Sequence, residues 1–289
     1  MKIFAGKVVV ITGAASGIGA ALAHAFAGRG ARLLLADIDG AGLDRIGQDL
    51  RSRGITCLTL VTDCGQEADV HALAAHALAQ LGGADVLINN AGVTVVAPVQ
   101  GIHIADAHWL MNINFWGVVH GCRAFLPQMQ NKPEAILVNI SSIFAMVSMP
   151  TQSIYNAAKA AVRGFSDALR EELSDAPVRV LCVHPGGIQT NIAKQARITD
   201  ASLVADSPQA VRADFERLAR TSPETAAEVI IAAIVRRKSR VLIGADAKVL
   251  DLLYRLFPSR ASRWMNGFGQ WMRRRARTQA QAQAAARLH

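Results

Sequence analysis

Short, largely apolar runs alternate with longer segments of helical periodicity along most of this chain. Val8–Ile11 is the first such run, and Arg32–Ala36, Thr56–Val61, Val86–Ile88, Ile136–Ile140, Val178–Val183 and Arg240–Ile243 repeat it. Between them, Gly17–Ala27, Ala41–Arg51, His71–Gln80, His108–Met129 and Ile154–Leu173 read as helices. Ser222–Pro223 opens another, with serine as cap and proline in the first position, where a missing amide proton costs nothing. Strands apolar on both faces must be covered on both faces. Seven of them, separated by helices, predict an α/β chain of three layers built on a doubly wound parallel β-sheet.

Polar residues gather where these strands end. The first strand runs into Thr12-Gly13-Ala14-Ala15-Ser16-Gly17-Ile18-Gly19 and then a helix. Gly13 suits a tight turn, and Gly17 and Gly19 let backbone approach a pyrophosphate and helix approach sheet. Amides of Ser16, Gly17 and Ile18 then face the negative charge. This context makes the predicted architecture a Rossmann fold. Alone, the turn also fits a plain strand–helix connection. Asp37 changes that balance: it ends the second strand, 18 residues after Gly19. A carboxylate there accepts both ribose hydroxyls of NAD and repels the 2′-phosphate of NADP. No Lys or Arg lies from Gly13 to Gly19 or from Ala36 to Gly42 to attract that phosphate. NAD is therefore expected over NADP. Asp63 ends the third strand, where it faces adenine or serves as an ordinary loop residue. Asn89-Asn90-Ala91-Gly92 ends the fourth: the asparagines brace strand ends, while Ala91 and Gly92 let the cofactor pass.

Tyr155 and Lys159 supply candidate chemistry. At i, i+4 on a helix they share one face. An ammonium beside a phenol favours phenolate and lowers its pKa, making Tyr155 a proton-transfer group for alcohol–carbonyl interconversion. Ser142, after the fifth strand, offers a hydroxyl to a substrate oxygen. Asn114 is placed to hold a water or bend its helix toward Lys159. His184 is expected to pack or hydrogen-bond locally, and no metal-ligand cluster appears.

Taken together, these motifs resemble the short-chain dehydrogenase/reductase family, in order, over roughly residues 5 to 245. The match includes Tyr155-Asn156-Ala157-Ala158-Lys159, Pro185-Gly186-Gly187-Ile188-Gln189-Thr190 and the thirteen-residue step from Ser142 to Tyr155. The resemblance implies a catalytic tetrad of Asn114, Ser142, Tyr155 and Lys159, and reversible hydride transfer at nicotinamide C4. It also implies that Lys159 holds the nicotinamide ribose, that Ile188 and Thr190 fix the carboxamide, and that Pro185 and Gly186 line the cofactor. A homodimer or homotetramer is expected. Two readings compete: an NADPH-preferring carbonyl reductase, and a scaffold that binds dinucleotide without turnover.

Length and composition fit one large domain: 289 residues, 51% hydrophobic. The catalytic unit is expected to span 1–247, with 187–221 as a substrate lid or a surface excursion. Val93, Val95, Val96, Phe144, Met146, Val147, Met149, Ile192 and Ile198 suggest an apolar substrate wall, although core packing accounts for many of them. Cys57, Cys64, Cys122 and Cys182 are widely spaced, which fits buried thiols in a reducing, cytoplasmic setting. No signal peptide or spanning segment is expected. Of the net charge of +9, eight positive charges are arginines between Leu252 and His289, a stretch without Asp, Glu or Lys. The body therefore shows no nucleic-acid footprint. The extension 248–289 is basic and amphipathic, and it docks on the body, on a partner subunit or, peripherally, on a membrane.

Overall fold

The seven sheet strands pair in parallel in the order β3-β2-β1-β4-β6-β7-β9. They are β1 (Val8–Thr12), β2 (Arg32–Asp37), β3 (Cys57–Val61), β4 (Val86–Asn89), β6 (Ala135–Ile140), β7 (Val178–Pro185) and β9 (Arg240–Ile243). The computed structural model describes residues 4–192, 194–198 and 219–267. Period-two alternation decides which layer each strand residue meets. Val9, Ile11, Leu33 and Leu35 face α1 (Gly17–Ala27), α2 (Gly40–Ser52) and α7 (Pro223–Val235). Val8, Val10, Leu34 and Leu137 face α3 (Glu67–Leu81), α5 (Gly117–Gln130) and α6 (Ser153–Glu172). The expected three layers and doubly wound sheet are present. Strand order reverses beside β1, where β4 lies opposite β2. That opens a crevice at the C-terminal strand ends, the position at which such sheets take ligands.

Two features depart from the sequence reading. The helix expected over His108–Met129 is divided. It comprises α4 (Ile104–Met111), a wide turn at Asn112–Trp116, and α5. Within the turn Gly117 donates to the carbonyl of Asn112, an i→i+5 bond in place of i→i+4. The cause is visible at Asn114: its amide donates to the Val93 carbonyl and accepts from the Val93 amide, both at 2.8 Å. A tertiary contact thus sets the local winding. The second feature is a two-stranded parallel pair, β5 (Val95–Val96) with β8 (Arg197–Ile198). Arg197 lies 3.5 Å from the Trp109 ring centre and pairs with Asp106 at 2.7 Å, tying the segment after β7 to α4.

A buried polar ladder crosses the second core. Asn89 donates to Asn139, and Asn139 donates to Ser166 on α6, at 2.9 and 3.0 Å. A Cβ on Gly121 of α5 would overlap Asn89 Oδ1. We expect Gly121→Ala to cost about 3 kcal/mol, because neither the ladder nor the helix can retreat from a filled core. An unchanged urea midpoint would contradict this. All four cysteines are free and buried, and burial pushes Cys64 and Cys122 up to about 12.

Beyond β9 the chain continues as α8 (Ala245–Leu256), so residue 247 lies inside a helix, and a helical segment follows at 261–267. Among the described residues no helix is long and apolar enough to cross a membrane.

Candidate active site

Glycine contacts draw the strand ends into one crevice. Gly13 and Gly17 hold positive φ, 65° and 53°, where a side chain would be strained. A Cβ on Gly13 would lie 2.8 Å from Ala91 Cα, and one on Gly17 would lie 3.1 Å from Thr190 Cγ2. Asn90 closes the turn from the β4 side, donating to the carbonyls of Thr12 and Gly13 at 2.9 and 3.1 Å. Ser16 sits at the cap position of α1 with its side chain unbonded to the helix, and Gly17, Ile18 and Gly19 form the first turn. The first-turn amides of a helix lack intrahelical partners and attract anions. A cleft of about 570 Å³ opens here, lined by Gly17, His24, Thr190 and Glu224 among others. It lies at the glycine-turn end of the crevice and away from Tyr155.

Asp37 accepts from Ala15 N at 2.9 Å and from Asp39 N at 3.0 Å. It therefore braces the glycine turn while keeping acceptor capacity. Exposed Ile38 and Val61 flank it, two apolar side chains at strand ends that the sequence reading passed over. Their exposure is the signal, and exposure is invisible in a sequence. Asp63 is occupied locally, accepting from Gly65 N at 2.8 Å. Pro185 ends β7 buried. Gly186 and Gly187 lie against Asp246 of α8, which accepts from Gly187 N at 2.7 Å. Ile188 pairs with Thr221, holding the strand-end segment that leads to Thr190. The expected cover at 187–221 falls mostly outside the described residues.

The four expected chemical residues converge on the same edge. A Cβ at Gly92 would lie 3.4 Å from Asn114 Oδ1 and 3.5 Å from Lys159 Nζ. Lys159 is buried and donates from Nζ to the Ile140 carbonyl at 3.0 Å. Ser141, which the sequence reading missed, donates to the Lys159 carbonyl at 2.8 Å. The residues just before Ser142 thus hold Lys159 at both ends. Ser142 Oγ accepts from Phe144 N at 3.1 Å, and its hydroxyl acts on the Tyr155 phenol to favour the charged form. Tyr155 is half-buried, with Phe144 edge-on to its ring at 6.3 Å.

One expectation is corrected. Lys159 does not depress the Tyr155 phenol in this structure. Burial pushes Tyr155 up to about 12, the Ser142 hydroxyl acting in the opposite direction, and burial pushes Lys159 down to about 8. Nζ sits 5.8 Å from the Tyr155 ring centre and gives one of its protons to the Ile140 carbonyl. Desolvation works against the charged form of each group, leaving the phenol neutral and Lys159 still largely protonated at pH 7.

His184 behaves as the local packing residue expected. It is fully buried, and Nδ1 donates to the Ser142 carbonyl at 3.2 Å. Nε2 finds no hydrogen-bond partner among the described residues. Burial lowers its pKa to about 4, with nearby arginines adding to the effect. The folded state then holds it neutral while the unfolded chain takes up a proton below about 6.5. Its stabilising contribution is complete above pH 6.5 and declines through pH 4, by about 3 kcal/mol in all. His184→Asn keeps a donor for Ser142 and cannot charge. We expect its urea midpoint to fall less than that of the parent between pH 7 and pH 4.5; parallel declines would refute the assignment.

Among the described residues no His, Cys, Asp and Glu cluster suits a metal ion. What the arrangement offers is a dinucleotide crevice ending at a hydroxyl, a phenol and an amine. A family model described as short chain dehydrogenase matches residues 7–201. SadH of Mycobacterium tuberculosis, an oxidoreductase by name, is 40% identical over 263 residues, spanning 90% of this chain and 94% of its own. A short chain dehydrogenase/reductase from Burkholderia phymatum, solved in complex with NAD, matches with a TM-score of 0.80 and 32% identity, covering 90% of this chain and 98% of that one. A short-chain dehydrogenase from Streptomyces avermitilis gives 0.76 and 26%, covering 99% of each. The chain belongs to the short-chain dehydrogenase family. It is accordingly an NAD(P)-binding oxidoreductase acting on CH–OH groups.

Proposed function

We propose that this protein catalyses reversible, NAD-dependent interconversion of a hydrophobic secondary alcohol and its ketone. The observation that carries the reading is the convergence of Ser142, Tyr155 and Lys159 at the strand edge that also holds Gly13, Gly17 and Asp37. Bound NAD supplies the hydride acceptor at nicotinamide C4. The chain's own residues do the rest. Gly13, Ser16, Gly17, Ile18 and Gly19 seat the pyrophosphate, and Asp37 takes the adenosine ribose hydroxyls. Ile38 and Val61 bracket the adenine, with Asp63 near its edge. Asn90, Ala91, Gly92, Pro185, Gly186, Ile188 and Thr190 line the path to the nicotinamide. Lys159 holds the second ribose, and Asn114 fixes the Val93 backbone beside it. Ser142 orients the substrate oxygen. In reduction the neutral phenol of Tyr155 gives its proton to the carbonyl oxygen; in oxidation Tyr155 must first pass that proton on by way of Lys159, and as phenolate it takes the alcohol proton.

Asp37, a carboxylate at the end of β2, supports NAD over NADP. The apolar preference rests on a reduced set of wall residues. Val95, Val96, Met146 and Val147 are core, while Val93, Phe144, Met149, Ile192 and Ile198 retain partial exposure. The test is initial NADH formation across secondary alcohols from short and polar to long and polycyclic, with NADP in parallel. Turnover of apolar alcohols with NAD supports the proposal; turnover confined to charged polyols, or to NADP, overturns it.

A further inference from the structure

The segment after β9 has two different faces. Its inner face is core: Ala247 and Ala261 are fully buried, and Leu250, Leu253, Tyr254 and Met265 pack on Ile143, Met146 and Val147. Ser262 accepts from Ser148 N at 2.8 Å, and Asn266 donates to the Ser148 carbonyl at 3.2 Å. Buried Asp251 pairs with Arg240 and with Arg255. The helices are therefore fastened to the loop that follows Ser142.

Their outer face is apolar and open. Val249, Leu252, Leu256, Phe257 and Trp264 are each between 43% and 61% exposed. The first three recur at i, i+3 and i+7, and the Phe257 and Trp264 rings meet edge to face at 5.1 Å. Exposed Arg260 and Arg263 border this patch. The sequence beyond adds Arg273, Arg274, Arg275, Arg277 and Arg287 with no acidic residue. A fixed apolar patch of this kind marks an interaction site.

We propose that this face docks on an anionic phospholipid surface. Charge selects the occupant. A second copy seated by two-fold symmetry would bring two arginine-rich segments together with no Asp or Glu from Leu252 to His289 to neutralise them. A nucleic acid offers phosphates but no medium for Leu252, Leu256 and Trp264. A bilayer interface offers both, with headgroups for arginine and an acyl boundary for leucine and tryptophan. The proposal goes beyond the redox reading and does not depend on it.

Co-sedimentation of the full chain with vesicles tests this. Binding is expected to mixed phosphatidylglycerol–phosphatidylcholine vesicles. It should weaken about tenfold or more on phosphatidylcholine alone, and again at high salt. Leu252→Glu with Leu256→Glu alters exposed positions only and should lower binding about tenfold or more with an unchanged circular dichroism spectrum. Arg260→Glu with Arg263→Glu provides an independent pair with the same expectation. Four results would overturn the proposal: no vesicle binding; binding equally strong on neutral vesicles; full binding retained by both variant pairs, which would assign it to the chain beyond residue 267; or lipid-free self-association abolished by the leucine variant, which would assign the face to a second copy.

Discussion

Tyr155→Phe is expected to lower kcat by about a thousandfold while leaving NAD affinity and the urea midpoint near those of the parent. The substitution removes one oxygen and little packing. The ring keeps its edge contact with Phe144 and its place beside Lys159. What disappears is the hydroxyl that exchanges a proton with the substrate oxygen. Measured NAD binding separates this loss from damage to the cofactor crevice. A variant retaining more than about a tenth of the parental kcat would remove Tyr155 from the proton-transfer role, since general acid–base groups contribute far more than that.

Asp37→Asn should reduce the NAD-over-NADP selectivity in kcat/KM by about thirtyfold or more. Two effects combine. An amide is a weaker acceptor for ribose hydroxyls than a carboxylate, and losing a charge-assisted hydrogen bond costs about 2 kcal/mol. The neutral side chain also ceases to repel a 2′-phosphate. Asn is chosen over Ala because Asp37 also accepts from Ala15 N within the glycine turn. An asparagine oxygen can keep the bond from Ala15 N, at the loss of the exposed one from Asp39 N, so the glycine turn stays braced while the charge is removed. Unaltered selectivity, with both cofactors still binding, would show that Asp37 serves the turn alone.

Much of the architecture was legible because the signals are local and redundant. Val8–Ile11 is apolar on both faces, and a parallel strand between helical layers has to be. The glycine turn, Asp37 and Asn90 each follow a strand, and the doubly wound topology brings such positions to one edge. The i, i+4 placement of Tyr155 and Lys159 on α6 follows from helix geometry. Other features had no local signal. Nothing near Asn114 in the chain announces that Val93 will capture its side chain and widen the helix there. Asp246 reaches Gly187 across 59 positions. The protonation balance at Tyr155 was read from spacing as lysine-controlled, whereas desolvation governs it, and desolvation is set by everything that packs around the pair.

By itself, then, the sequence determined the α/β class, the parallel sheet, the family motifs and their order, because hydrophobic period and glycine, aspartate and tyrosine positions act at short range. Only the tertiary structure decided which apolar residues remain open and which are core. Val249, Leu252 and Leu256 are exposed while Leu250 and Leu253 are half-buried on the same helix. Helical spacing places side chains around an axis, but the loop at Ile143–Val147 chooses the side that is covered. Burial depends on distant neighbours, and with it go the pKa values, the accessible walls of the site and the face left for a partner.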